Sequence, residues 1–282
     1  MSRLKVVYIA GLYHSGSTVL DMSLGAHREI VGLGECYKLI YDGHENLCSC
    51  GVFPNRCEYW SRVKLHDSDY ASSYENIKTA FRSQFPELLL LDSSKCHPLG
   101  PLNKSASKSM KGLNYWIKQN DVELKVIHLT RDALTWAARI NQREKRFIPK
   151  SGRFSRMYRR LVASVPVRLI QWSVGHKSIE TYCRMNNVDV MQVSYEKICS
   201  QTEEALSEIC DFIDVQFDSS MLIPNNTNSH ITVGNPVRHT KNARSKLTFD
   251  VRPLFNFKSL FTLVTFYFLQ NQNSKYFNND QE

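Results

Sequence analysis

The sequence predicts an α/β fold of three layers, a central parallel sheet flanked by helices. Two observations carry this. Four short apolar runs, KVVYIA (5–10), LLLLD (88–92), KVIHLT (125–130) and VDVMQVSY (188–195), read as buried strands. Stretches with helical patterning separate them, at 17–26, 74–84, 103–119, 132–146, 168–186 and 202–213. A third observation places function. The first run leads into GLYHSGSTVL (11–20), a glycine- and hydroxyl-rich turn at the start of a helix.

Taken in order, the elements have local reasons. Residues 5–10 are rich in β-branched and aromatic side chains, which suit a buried strand. Gly11 and Gly16 allow a sharp turn and close approach of an anion to the backbone. The segment 36–70 reads as an irregular insertion. Residues 88–92 and 125–130 are again strands, followed by SSK (93–95) and RDALTWAAR (131–139). In such folds ligands sit at the carboxyl ends of strands, so these followers are the candidate site. The segment 139–165 is a basic excursion, with nine basic residues against one acidic over 139–160. It suits an acceptor-binding lid, a nucleic-acid contact or a solvated helix face; no nucleic-acid motif accompanies it. The helix at 202–213 has Glu203 and Glu204 in its first turn, which complements the helix dipole.

The chain of 282 residues is read as one domain, 1–282, with a helical C-terminal extension over 250–282. It is 42 % apolar and 22 % charged, a composition that supports a sizeable core. Only the polar tail from 270 reads as disordered by composition. Lys and Arg outnumber Asp and Glu by 36 to 27, and the net charge of +9 favours an anionic ligand or surface. The run SLFTLVTFYFL (259–269) is shorter than the ~20 residues a bilayer requires, so it is expected to pack as a core or edge helix. A cytoplasmic protein is expected, with peripheral membrane contact left open. Of eight cysteines, Cys36, Cys96, Cys183, Cys199 and Cys210 are scattered. Cys48, Cys50 and Cys57 cluster, with His44 a conceivable fourth metal ligand. Their spacing is not a recognised CxxC pair, so buried thiols in a packed loop, and no metal, are expected.

The turn at 11–18 has the outline of a phosphate loop, GxxxxGK[ST], but Ser17 stands where lysine would reach the β- and γ-phosphates. A triphosphate would lose its main cationic partner there. A single phosphate or a phosphosulfate would not.

HSGSTVLDMSLGAH resembles the 5′-phosphosulfate loop of sulfotransferases. LGECYKL (33–39), CSCGVFPNRCEYW (48–60), LLLLDSSK (88–95), VIHLTRD (126–132), VSYEKI (193–198) and HITVGNPVR (230–238) resemble later segments of that family, in the same order. The resemblance covers roughly residues 5–240. It implies a P-loop-like α/β fold, 3′-phosphoadenosine 5′-phosphosulfate (PAPS) as donor, and no required metal. By this resemblance His14, Ser15, Gly16, Ser17 and Thr18 hold the 5′ phosphosulfate. His14 stands where the family usually has Arg or Lys. Glu35 is the implied base, and Lys95 the bridge between leaving phosphate and sulfuryl group. Arg131 and Arg238 are implied to hold the 3′ phosphate. Arg139 replaces the family's serine in that site, and Tyr195 corresponds to a tyrosine near the adenine. The acceptor is left as a glycan, lipid or small metabolite. A P-loop kinase of a small molecule and a catalytically inactive anion-binding relative remain as alternatives.

Overall fold

The computed structural model describes residues 2–42, 46–66, 69–96, 110–144, 164–223, 229–234 and 260–278. Five parallel strands form one sheet: β1 (Leu4–Gly11), β2 (Ile30–Gly32), β3 (Leu89–Asp92), β4 (Val122–Thr130) and β5 (Asp189–Ser194), in the order β2-β3-β1-β4-β5. β1 lies at the centre, with Val7 opposite Leu91 on one side and Lys125 on the other. From β1 the chain goes first toward β2 and β3, then crosses to β4 and β5. Loops leaving β1 therefore open into the crevice where such sheets bind ligands.

The helices are α1 (Ser17–Leu24), α2 (Cys36–Asp42), α3 (Tyr70–Gln84), α4 (Met110–Ile117), α5 (Ala133–Glu144), α6 (Val165–Met185), α7 (Tyr195–Ser200), α8 (Thr202–Phe212) and α9 (Leu260–Asn278). The period of two along the strands sorts the core into two layers. Val6, Tyr8 and Ala10 of β1 join one apolar cluster with α3, α4 and α6 side chains such as Phe81, Trp116 and Trp172. Val7 and Ile9 point the other way, onto Leu20 and Leu24 of α1 and Leu206 and Ile209 of α8. The sheet is thus covered on both faces, as its continuous apolar strands require.

Each of the six helices expected from the sequence has a counterpart among the described residues. Three expectations need correction. β2 was not recognised as a strand, because three residues bounded by a glycine give no periodicity to read. The segment 36–70, expected as an irregular insertion, has more order and burial than that: it opens with α2, and its Cys48, Cys57, Tyr59, Trp60 and Val63 belong to the main core. The polar tail does not stay loose over 270–278, where it completes α9. Gln272 and Asn273 bond to Ser173 and to the Ala133 N–H, and Tyr276 is buried against Trp172. Polar residues there satisfy partners on α5 and α6 instead of solvent, which composition alone does not show. As expected, residues 260–269 lie in an edge helix, at its start. Phe266 and Leu269 pack on the core while Tyr267 and Phe268 are exposed. No helix among the described residues is long and apolar enough to cross a membrane.

Candidate functional site

The site begins where β1 ends. The chain turns over Leu12–Gly16 and enters α1 with Gly16 as the capping residue, at φ +100°. A side chain at 16 would also meet the Tyr195 ring at 2.2 Å, so both conformation and space demand glycine. The first-turn N–H groups of α1 face this corner, an arrangement that favours an anion. The Ser17 hydroxyl is buried and has no hydrogen-bond partner among the described residues. An anion seated in this corner would give that hydroxyl an acceptor.

Lys95 reaches the same corner from the end of β3. Asp92, fully buried, accepts from Tyr74 (3.1 Å), Trp116 (2.9 Å) and the Ser94 N–H (2.9 Å). Burial pushes its carboxyl up, and these donors oppose that shift. The Ser93 hydroxyl bonds to Asp21, whose carboxyl burial raises to about 7. These bonds fix the turn so that Lys95 adopts φ +63°, a costly conformation for a residue with a side chain. Its carbonyl accepts from Tyr8 at 2.7 Å. Its Nζ lies 2.5 Å from Glu35 Oε1 and 5.6 Å from the Tyr13 ring centre. Glu35 is held in turn where its N–H meets the Val233 carbonyl at 3.4 Å and its own carbonyl starts α2. Both charged groups are almost wholly buried, so the pair sits in a low-dielectric wall.

Arg131 closes the opposite side, following β4. Its Nη1 donates to the His14 carbonyl at 3.0 Å, and its guanidinium stacks 4.5 Å over the Tyr195 ring. Trp172 Nε1 donates to its carbonyl at 2.9 Å. The Arg131 Nε is buried with no partner among the described residues. Burial lowers its guanidinium's proton affinity, and nearby Arg139 adds to that. Burial likewise lifts the neighbouring Glu196 carboxyl to about 7.

One cleft brings together His14, Gly16, Ser17, Thr18, Glu35, Lys95, Arg131, Arg139 and Tyr195. Ser15 does not line it; its side chain is buried beside the loop. Arg238, with Asn235 and Pro236, lies outside the described residues, as does the basic stretch over 145–163. Tyr13, Lys38 and Gly234 also line the cleft and were not foreseen. Lys38 follows Glu35 by three residues, one helical turn, so helix periodicity from Glu35 could have found it. Lys38, Lys95, Arg131 and Arg139 set four cations around Glu35, a balance that suits a multiply charged anion.

No family model matches this sequence. No curated protein matches it either. Solved structures do. The sulfotransferase domain from the Synechococcus PCC 7002 olefin synthase superposes with a TM-score of 0.55 at 18 % identity, covering 96 % of this chain and 95 % of that one. The sulfotransferase domain from the curacin biosynthetic pathway gives 0.51 at 15 % identity, covering 96 % and 99 %. A mouse sulfotransferase, SULT7A1, complexed with PAP, gives 0.46 at 12 % identity, covering 97 % and 86 %. At these identities the first two establish likeness of fold: the chain has the sulfotransferase α/β architecture over nearly its whole length.

Proposed function

We propose that this chain transfers a sulfuryl group from PAPS to a hydroxyl or amine of an acceptor. The observation that carries the reading is the convergence of a lysine-free anion loop, the Lys95–Glu35 pair and Arg131 on one cleft. The fold agrees with it.

The residues fit the donor. The 11–18 turn and the α1 N-terminus offer N–H groups, and the Ser17 hydroxyl has no other partner among the described residues. Arg131 supplies a rigid fork for a phosphate. In the reaction the acceptor oxygen or nitrogen forms a bond to sulfur while the bond from sulfur to the 5′-phosphate oxygen breaks. Lys95 Nζ, in the wall of the cleft, donates to the leaving phosphate oxygen as charge develops there. Glu35 takes the acceptor's proton through its carboxylate once the lysine turns to the phosphate. His14 lines the cleft beside the loop, where it replaces a permanent cation.

A triphosphate kinase would need a lysine at 17, and serine stands there. The acceptor's class, whether glycan, lipid or small metabolite, is set by the walls beyond the cleft. The test is donor turnover without an acceptor. Purified protein should slowly convert PAPS to adenosine 3′,5′-bisphosphate and lose this activity in Lys95→Met. Conversion unchanged in that variant would remove Lys95 from the reaction.

A further inference from the structure

The three thiols of the 48–57 loop do not simply pack. Cys57 Sγ lies 3.7 Å from Cys48 Sγ and 3.7 Å from Cys50 Sγ. His230 Nδ1 completes the group, 3.2 Å from Cys57 Sγ and 4.0 Å from Cys48 Sγ. All four donor atoms lie within 4.8 Å of one another. We propose that Cys48, Cys50, Cys57 and His230 bind one structural zinc ion that clamps the 46–63 segment to the 229–234 segment.

These four separations bracket the edges of a metal tetrahedron. Zinc binds thiolate at about 2.3 Å and imidazole at about 2.0–2.1 Å, so tetrahedral edges are about 3.8 Å between sulfurs and about 3.6 Å from sulfur to nitrogen. The two sulfur edges that meet at Cys57 match the first figure, and the separations of His230 Nδ1 from Cys57 and Cys48 straddle the second. A disulfide would need the sulfurs at about 2.05 Å and would strand the third thiol and the ring nitrogen. Three sulfurs and one nitrogen are soft donors that select zinc over magnesium or calcium. Four protein ligands leave no open position, which makes the role structural and not catalytic.

The surroundings orient each ligand. Gly51, at φ +92°, reverses the chain so that the Cys48 N–H meets the Val52 carbonyl and Cys48 and Cys50 turn the same way. The 3-10 turn Pro54–Arg56 delivers Cys57, whose N–H bonds to the Phe53 carbonyl. The His230 ring is stacked on Tyr59 and Phe85, with centroids 5.6 and 6.0 Å away. Trp60 Nε1 donates to the His230 carbonyl. The stacked rings hold the imidazole plane, and the Trp60 bond anchors the backbone that carries it. Main-chain bonds run beside the cluster from Ser49 to Ile231 and from His230 to Gly32. The same segment continues to Val233, which holds Glu35, and to Gly234 in the cleft wall. Zinc here would fasten that wall from behind.

The full chain, produced in zinc-replete medium and desalted, should carry about one zinc per molecule by mass spectrometry of the metals, whether or not adenosine 3′,5′-bisphosphate binds. Zinc content therefore reads this proposal separately from the donor reading. Cobalt exchanged into the wild type should give the intense visible bands of a tetrahedral thiolate site, a readout that needs no variant to fold. Cys57→Ser should fall to near-zero stoichiometry, while Cys199→Ser, outside the cluster, keeps its zinc. A folded wild type with no zinc, whose cluster thiols react with a thiol reagent at the same rate with and without added zinc, would overturn the proposal. So would iron or copper at full occupancy in place of zinc.

Discussion

The anion cleft and the thiol corner lie on either side of one wall, and they are built on opposite plans. In the cleft, cations and hydroxyls come from β1, β3, β4 and α2 and surround open space. Its charged groups lean on one another while they wait, as Lys95 does on Glu35. In the corner, four donors converge on one point, with Cys48 and Cys57 buried, the His230 ring stacked on aromatic neighbours and Cys50 at the surface. A ligand that must enter, react and leave requires the first plan; an ion that stays requires the second. Gly234 and His230, four residues apart, link the two.

The comparison can be broken first at Lys95. Lys95→Met should lower PAPS conversion by about 10²–10³-fold, the usual loss for a donor to developing charge. Bisphosphate binding, measured by calorimetry, should change far less. Equal loss of both would make Lys95 a mere binding residue. Arg131→Ala should weaken bisphosphate binding by about 10–100-fold, since a charged hydrogen bond contributes about 1.5–3 kcal/mol. Arg131→Lys should recover only part of that, because it loses the fork. Neither change should alter zinc content.

Gly16→Ala sharpens the contrast at the level of backbone. It places a methyl group against Tyr195 and forces an unfavoured φ, so urea unfolding should show a loss of about 1–3 kcal/mol together with weaker bisphosphate binding. A neutral effect on both would mean that the loop adapts and the site is less rigid than described.

Much of the cleft was legible because its parts follow strands. GLYHSGST, SSK and RDAL each sit directly after an apolar run, and sheet topology does the rest. Tyr13 escaped notice because it adjoins His14, and Lys38 because it lies on α2, a helix that the sequence pattern did not reveal. The thiol corner was hidden for a different reason. Its fourth ligand stands 173 residues beyond Cys57, so no spacing rule could pair them; His44 was the nearer candidate, and it lies outside the described residues. The same distance effect concealed the burial of Trp60 and Tyr59, whose partners come from α3 and from His230. Local pattern reports elements and their ends. It does not report what a return of the chain brings alongside.

The smallest expected effect lies in the core, outside both sites. His128 and His176 share a buried hydrogen bond of 2.8 Å beneath Tyr276. Burial holds His128 down to about 4 and His176 well below its usual value. Near pH 6.5 and below, the unfolded chain takes up protons that the folded pair refuses. The stability due to the neutral pair is therefore full above about pH 6.5 and is lost as pH falls toward 4. Each such histidine contributes a slope of at most about 1.4 kcal/mol per pH unit. Asp21 and Glu196, both raised to about 7 by burial, act in the opposite sense, favouring the fold as pH falls from 7. Comparing wild type with His128→Asn cancels them: the variant's stability should fall less steeply between pH 6.5 and 4. Parallel curves would mean the pair is charged or hydrated in the folded state.

The most direct measurement is thermal unfolding with adenosine 3′,5′-bisphosphate set against ATP with magnesium. At one hundred times its dissociation constant the bisphosphate should add about 2.7 kcal/mol, and ATP with magnesium should add little. That result would support a cleft built for a phosphosulfate donor. Stabilisation by magnesium-ATP alone, or by neither nucleotide, would contradict it.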